Sequence, residues 1–328
     1  MGGCKVAVII PTLNEERFVG RCIKSVITQS FPLKNMEILV IDGGSVDQTK
    51  EIVLDLGRRY SNIKLLENPG RIQSIAFNIG VKFSEAPYII RLDAHAIYDP
   101  KYIEICIMRL QENVNRGNVG GRWDIVAQNS TLVAQANAIL NSCKFGIGGA
   151  SFRVGALAGN VDTVPFGAFP RNVIDKIGGM REDLIRGEDN EFNFRIRNAG
   201  YEIFFDPNIV CTYYARATMK ESVKQMYANG KSIGHLLRID RRIISLRHFV
   251  PFLFTLSIIS GFVLSFVTKW FTCLLGLIFL VYLFADILAS ICMAYKNGRK
   301  FFLPLLVLFF MVHISYGWGT IIGIVKKQ

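Results

Sequence analysis

Over the first hundred residues, short apolar runs alternate with stretches whose apolar positions recur at helical spacing. Val6 to Ile10 (VAVII) reads as a fully buried strand ended by Pro11, with Thr12 and Asn14 in the turn that follows. From Glu15 to Gln29, the residues Phe18, Val19, Cys22, Ile23, Val26 and Ile27 fall on one face of a helix. Glu37 to Ile41 (EILVI) is a second buried strand, running into Asp42-Gly43-Gly44-Ser45, and helical spacing returns from Asp47 to Tyr60. A third strand, Ile63 to Leu66, precedes Asn68-Pro69-Gly70-Arg71, and a helix from Ile72 to Phe83 leads to a strand at Tyr88 to Ile90. This alternation predicts an α/β fold with a doubly wound, mostly parallel sheet and right-handed crossovers.

The pattern then becomes more mixed. A glycine-rich strand segment at Val119 to Val126 and a helix at Thr131 to Asn141 lead to the glycine-studded loop Gly146-Ile147-Gly148-Gly149. Further expectations are a strand over Val161 to Phe169, a helix over Arg171 to Ile177, and a helix in GEDNEFNFRIRNAGY, Gly187 to Tyr201, whose first turn is loaded with Glu188, Asp189 and Glu191. Residues 216–248 read as amphipathic helices lying on a membrane, with Val223, Met226, Tyr227, Ile233, Leu236 and Leu237 opposite Lys220, Lys224, Lys231 and Arg238.

Beyond residue 248 lie apolar runs at 249–267, 270–295 and 301–325. Each is long enough to cross a hydrocarbon core of about 30 Å as a helix, which needs roughly 20 residues. The expected organisation is a catalytic domain at 1–215, a basic juxtamembrane segment at 216–248 and about three transmembrane helices in 249–328.

Charge sharpens this picture. The net charge is +12, yet residues 1–215 hold 24 basic against 23 acidic side chains, whereas residues 216–248 hold eight against two. An excess concentrated beside the first apolar run points to anionic membrane lipids and not to nucleic acid. Arg238, Arg241, Arg242 and Arg247, with Lys296, Arg299 and Lys300 after the second run, place both flanks and the catalytic domain on the cytoplasmic face of the cell membrane. Three crossings then put the carboxyl terminus outside, which Lys326 and Lys327 oppose, so the alternative is a re-entrant or shallow third segment. The amino terminus shows no signal-peptide pattern and has Val6 where myristoylation needs Ser or Thr. Seven scattered cysteines, Cys4, Cys22, Cys106, Cys143, Cys211, Cys273 and Cys292, form no C-x-x-C pair and read as reduced thiols.

The candidate chemistry lies at strand ends, where open α/β sheets bind ligands. In YIIRLDAHAIYDP, Tyr88 to Pro100, an apolar strand breaks off into Arg91, Asp93 and His95. Two residues apart in extended backbone, Asp93 and His95 share a face and suit Mg2+ or Mn2+ completed by substrate phosphate oxygens. The plain alternative is a helix cap at Asp93 and a solvated His95. Asp42 stands at the second strand end and Glu188-Asp189 at a later helix start, where each also suits a turn or cap. No G-x-G-x-x-G follows the first strand and no P-loop motif occurs, against dinucleotide redox chemistry and P-loop hydrolysis.

The order of PTLNEE at Pro11 to Glu16, VIDGGSVDQT at Val40 to Thr49, the segment Asn68 to Asn78, RLDAHA at Arg91 to Ala96 and GEDNEF at Gly187 to Phe192 resembles family 2 inverting glycosyltransferases of the GT-A fold. VDTVPFGAFPR at Val161 to Arg171 and the apolar tail resemble the bacterial succinoglycan and exopolysaccharide branch. The resemblance implies that Pro11, Thr12, Asn14 and Glu15 border the nucleotide, that Asp42 with Gly44 binds the base, and that Arg71 sits near base or diphosphate. It also implies a metal at Asp93 and His95, where the family's usual carboxylate is replaced by His95, and a general base at Asp189 in the Glu188-Asp189 pair. The implied donor is a nucleoside-diphosphate sugar and the implied acceptor a polyprenyl-linked saccharide. The contrasting class is a non-catalytic membrane adaptor that keeps a nucleotide-sugar-binding fold.

Overall fold

The computed structural model describes residues 5–326, so Cys4 and Lys327 lie outside the described residues. In chain order the elements are β1 (Val6–Thr12), α1 (Val19–Ile27), β2 (Met36–Asp42), α2 (Thr49–Arg59), β3 (Ile63–Glu67), α3 (Gln73–Phe83), β4 (Tyr88–Arg91), β5 (Ala96–Tyr98) and α4 (Tyr102–Glu112). There follow β6 (Arg116–Ala127), α5 (Leu132–Asn141), α6 (Lys144–Ile147), α7 (Ser151–Val154), β7 (Gly159–Asn160), β8 (Ala168–Pro170), α8 (Arg171–Ile177), α9 (Glu188–Asn198) and β9 (Glu202–Ala215). The chain ends in α10 (Met219–Ile239), α11 (Phe249–Ser265), α12 (Lys269–Asn297) and α13 (Phe302–Val325). These elements form two compact units, residues 1–124 with 155–213 and residues 125–154 with 214–328.

The first unit is built on the strand order β3-β2-β1-β4-β8-β6-β9-β5, with β7 beside β9. β3, β2, β1 and β4 run parallel, as the alternation predicts. The mostly parallel expectation fails in the other half. β8 joins β4 antiparallel and β6 joins β8 antiparallel, while β5 and β7 pair antiparallel with β9. The result is a mixed sheet. The strand expected over Val161 to Phe169 is mostly loop, because Pro165 and Gly167 interrupt it and only Ala168–Pro170 pair with β4. Pro11 does not end β1, since β4 pairs with it only as far as Ile9 and the missing N–H at Pro11 falls beyond that ladder.

Alternation along the buried strands fills both faces. Val6, Val8 and Ile10 of β1 and Ile38 and Val40 of β2 pack with Val19, Cys22, Ile23 and Val26 of α1, Val53 of α2 and Ile103 and Cys106 of α4. The intervening Ile9 and Ile41 face α3, where a Cβ on Gly80 would strike Ile9. On that side Phe77, Phe169 and Phe192 meet edge to face, with ring centroids 5.3–5.8 Å apart, and this anchors α9 against α3.

The second unit gathers α5, α6 and α10 on α13. Ala136, Ile139, Leu140 and Cys143 pack with Leu305, Leu308, Phe309 and Val312. α10 opens with a capping box between Thr218 and Glu221. Its small-residue face, Gly230 and Gly234, is buried on α13, so the segment expected simply to lie on a membrane is held by a helix partner. Helical segments Leu246–Ser265, Lys269–Asn297 and Arg299–Val325 are long and apolar enough to cross a membrane.

Candidate active site

The carboxyl ends of β1, β2 and β3 are stitched into one loop cluster. Gly43 N–H donates to the Thr12 carbonyl at 2.8 Å and Asn68 N–H to the Asp42 carbonyl at 2.7 Å. Asn14, in the left-handed region at φ 55°, donates its N–H to Ser45 Oγ at 2.9 Å and accepts from Val46 N–H at 2.9 Å. Glu15 N–H donates to Thr49 Oγ1 at 2.8 Å. Arg71, also left-handed at φ 58°, lays its guanidinium over Gly44, where a Cβ would stand 3.4 Å from Nη2. Gly44 itself needs φ +83°, a backbone conformation that favours glycine.

Asp42 organises this cluster. Its buried carboxylate accepts the Gly44 and Ser45 N–H groups at 2.9 Å each, touches the Ser45 hydroxyl, and lies 3.5 Å from Lys50 Nζ. Its hydrogen-bond partners belong to its own turn, and Lys50 of α2 is its ion-pair partner. Pro11 sits inside β1 opposite Ile41, and Thr12 Oγ1 at the strand end is buried without a protein hydrogen-bond partner.

A second cluster surrounds Arg91, the last residue of β4. Its guanidinium is 3% exposed, contacts Asp189, donates to Gln73 Oε1 at 2.7 Å, and lies 3.4 Å from Glu188 and 4.0 Å from Asp93. Burial works against its charge, but Asp189, Glu188 and Asp93 outweigh that and make Arg91 hold its proton more tightly than a free guanidinium. Glu188 is pushed up to about 7 by burial and by the charge of Asp189, against the opposing pull of Arg91. Asp189 is the open member, with 36% of its side chain exposed against 8% for Glu188. Gly187, left-handed at φ 88°, turns the chain so that both acids fall in the first turn of α9.

The pair Asp93 and His95 faces Glu15 and not a helix cap. β5 follows it, and the residue before α4 is Lys101. His95 Nε2 is 3.8 Å from Asp93 Oδ2 and Nδ1 is 3.3 Å from Glu15 Oε1. Burial alone would lower the imidazole, but Asp93 and Glu15 outweigh it and raise it to about 9. Tyr98 braces the backbone, its hydroxyl accepting Asp93 N–H at 2.7 Å. Among the described residues no three His, Cys, Asp or Glu side chains gather into a metal site. The donor set of one carboxylate and one imidazole fits a divalent cation only where substrate oxygens supply the remaining ligands and where the cation displaces the proton that Asp93 and Glu15 otherwise hold on His95.

The structure thus sorts the expected residues into two groups. Pro11, Thr12, Asn14, Asp42, Gly44 and Arg71 belong to the first strand-end cluster, and Asp93, Glu188 and Asp189 to the cluster on Arg91. Glu15 links the first cluster to His95. Sequence reasoning missed Arg91 and Gln73 as site residues, although an arginine closing an apolar strand was itself a signal. It also missed Tyr213, whose ring centroid is 6.3 Å from that of His95 and which stacks on Trp123 at 4.2 Å.

Comparison with known proteins fits this geometry. The family model described as glycosyl transferase family 2 matches residues 7–156. The chain is 27% identical over 328 residues, covering 98% of it and 97% of the relative, to the dolichyl N-acetyl-alpha-D-glucosaminyl phosphate 3-beta-D-2,3-diacetamido-2,3-dideoxy-beta-D-glucuronosyltransferase of Methanococcus voltae. It is 30% identical over 249 residues, 74% of it and 73% of the relative, to the succinoglycan biosynthesis protein ExoA of Rhizobium meliloti (strain 1021). Among solved structures, the mannosyltransferase PcManGT from Pyrobaculum calidifontis, in complex with GDP-Man and Mn2+, shares the fold at TM-score 0.63 and 16% identity, over 99% of this chain and 88% of that one.

Proposed function

The chain belongs to glycosyl transferase family 2, and from that premise we propose that it is a membrane-anchored, inverting enzyme that moves a sugar from a nucleoside diphosphate to a polyprenyl-linked saccharide. The observation that carries this reading is the convergence of Asp93, Glu188 and Asp189 on the buried Arg91, next to the loop cluster formed by the ends of β1, β2 and β3. In this reading the loop cluster takes the nucleotide, with Arg71 at the diphosphate, and Asp189 faces the acceptor.

The reaction is one displacement. The acceptor hydroxyl oxygen forms a bond to the anomeric carbon on the face opposite the nucleoside diphosphate, whose phosphate oxygen leaves with the bonding electron pair. Asp189 accepts the hydroxyl proton, and the anomeric configuration inverts. Asp93 and His95 would hold a divalent cation, Mg2+ or Mn2+, which when bound neutralises charge on the departing diphosphate. GDP-Man and Mn2+ in the Pyrobaculum structure support the donor class and the cation. The Methanococcus relative, named for a dolichyl-linked acceptor, supports a lipid-linked acceptor. The basic stretch 216–248 supports attachment to anionic lipids at the cytoplasmic face.

The direct test measures nucleotide release from UDP-, GDP- and TDP-sugars with and without extracted polyprenyl-linked acceptors. Release that rises with acceptor for one donor is expected; donor binding with no release from any pair would favour the adaptor. Chelation by EDTA is expected to stop transfer, and Asp93→Ala to weaken cation-dependent donor binding by about tenfold or more, the order of loss seen when support for a metal ligand is removed. Full activity in EDTA would remove the cation from the reaction.

A further inference from the structure

Of the three apolar helical segments, the last differs from the other two in its surroundings. In its most apolar stretch 44% is buried inside the protein, against 6% and 11% for the segments of α11 and α12. One side of α13 is covered from end to end by elements that bear polar groups. Leu305, Leu308, Phe309 and Val312 pack on α5 and α6, and His313 Nε2 bonds the Phe145 carbonyl of α6 at 2.8 Å. Farther along, Ser315 Oγ donates to the Val223 carbonyl of α10 at 2.8 Å, Gly319 meets the Tyr227 carbonyl, and Gly323 meets that of Lys231.

Those last three pairs advance together along both chains, so α10 and α13 run parallel. They meet through matched G-x-x-x-G motifs, Gly230 with Gly234 and Gly319 with Gly323, where any Cβ would strike the opposing backbone. The two helices therefore share one depth. Standing α13 across a bilayer would carry α10 into hydrocarbon with Lys224 and Lys231, a costly placement for ammonium groups. α11 and α12 also touch α13, where Gly317 meets Pro251 and Thr255 and where Tyr282 Oη lies 2.8 Å from His313 Nδ1, and the apolar residues that α13 leaves exposed, Leu303, Val307, Phe310, Met311 and Trp318, recur at helical spacing. Its two ends are both basic, Arg299 and Lys300 before it and Lys326 after it. α13 carries no charged residue between those ends, so its depth is set by the helix it is locked to.

We propose that α13 does not cross the bilayer but lies in its cytoplasmic interface, locked to α10, while α11 and α12 form a hairpin that enters and leaves the membrane on that same face. The partner of this surface is an anionic leaflet: Lys220, Lys224, Lys231 and Arg238 on α10 and the cations at both ends of α13 meet headgroups, and the exposed stripe meets acyl chains. The carboxyl terminus then lies on the same side of the membrane as the catalytic unit. This replaces the three-crossing arrangement and accounts for the cations that opposed it.

The test uses the active full-length chain with a protease-cleavable epitope after residue 328, and a second preparation tagged before residue 1. Both are digested in spheroplasts and in inverted membrane vesicles. Protection of both tags in spheroplasts and loss of both in inverted vesicles is the expected result. Cleavage of the carboxyl-terminal tag in spheroplasts, with the amino-terminal tag protected, would overturn the proposal. Because the readout is tag accessibility, it is independent of which sugar is transferred or whether transfer occurs.

Discussion

Replacing Asp189 with asparagine is expected to lower turnover by about 10²–10⁴-fold, the usual worth of a positioned general base, with donor binding close to that of the unaltered protein. The change keeps the side-chain shape and leaves an amide oxygen for Arg91, so the contact that orients the first turn of α9 survives while the proton acceptor is lost. Exposure separates the two candidate acids. Asp189 is 36% exposed and reachable by an acceptor hydroxyl, whereas Glu188 is 8% exposed beneath it. Glu188→Gln is therefore expected to cost less than Asp189→Asn in kcat. Nucleotide release under saturating donor and acceptor checks both variants, and a larger loss in Glu188→Gln would exchange their roles.

Much of this fold is legible in the chain because its first half is built from local rules. Buried strands read as unbroken apolar runs and helices as one-sided stripes, so β2, β3, α3 and α8 lie within a residue or so of expectation. α1 begins later than its apolar spacing suggests, because Glu15 and Glu16 donate their backbone N–H groups to Thr49 and Asp47 and hold the chain in a turn. The antiparallel half was not legible. Strands such as β8 and β5 are three residues long and take their register from distant partners. The same limit applies to α10. Its lysines announce an amphipathic helix, but the glycines that match it lie in α13, some ninety positions away. At the site, Asp42 and Asp93 were visible as polar residues ending apolar runs. The centrality of Arg91 was not, because it depends on α9 returning Glu188 and Asp189 to the end of β4.

That return makes Arg91→Ala the most damaging single change expected for the folded protein. Three carboxylates, Asp93, Glu188 and Asp189, face one guanidinium that is itself 3% exposed. Removing one partner from a buried ionic group costs about 3–5 kcal/mol, because the remaining charges keep their desolvation penalty and lose their attraction. Gln73 Oε1 would also lose its donor. The expected result is a clearly lowered melting temperature of the detergent-solubilised chain together with loss of transfer. Arg91→Lys distinguishes charge from geometry: an ammonium restores a cation, but a single point donor cannot reproduce the fork that reaches Asp189 and Gln73 at once. Its melting temperature should recover more than its kcat. Combining Arg91→Ala with Glu188→Gln should restore part of the stability lost, since it removes one of the stranded carboxylates, and a non-additive gain in that double variant measures the coupling directly. Strict additivity would mean that Arg91 stabilises the unit through its packing and not through the acids it faces.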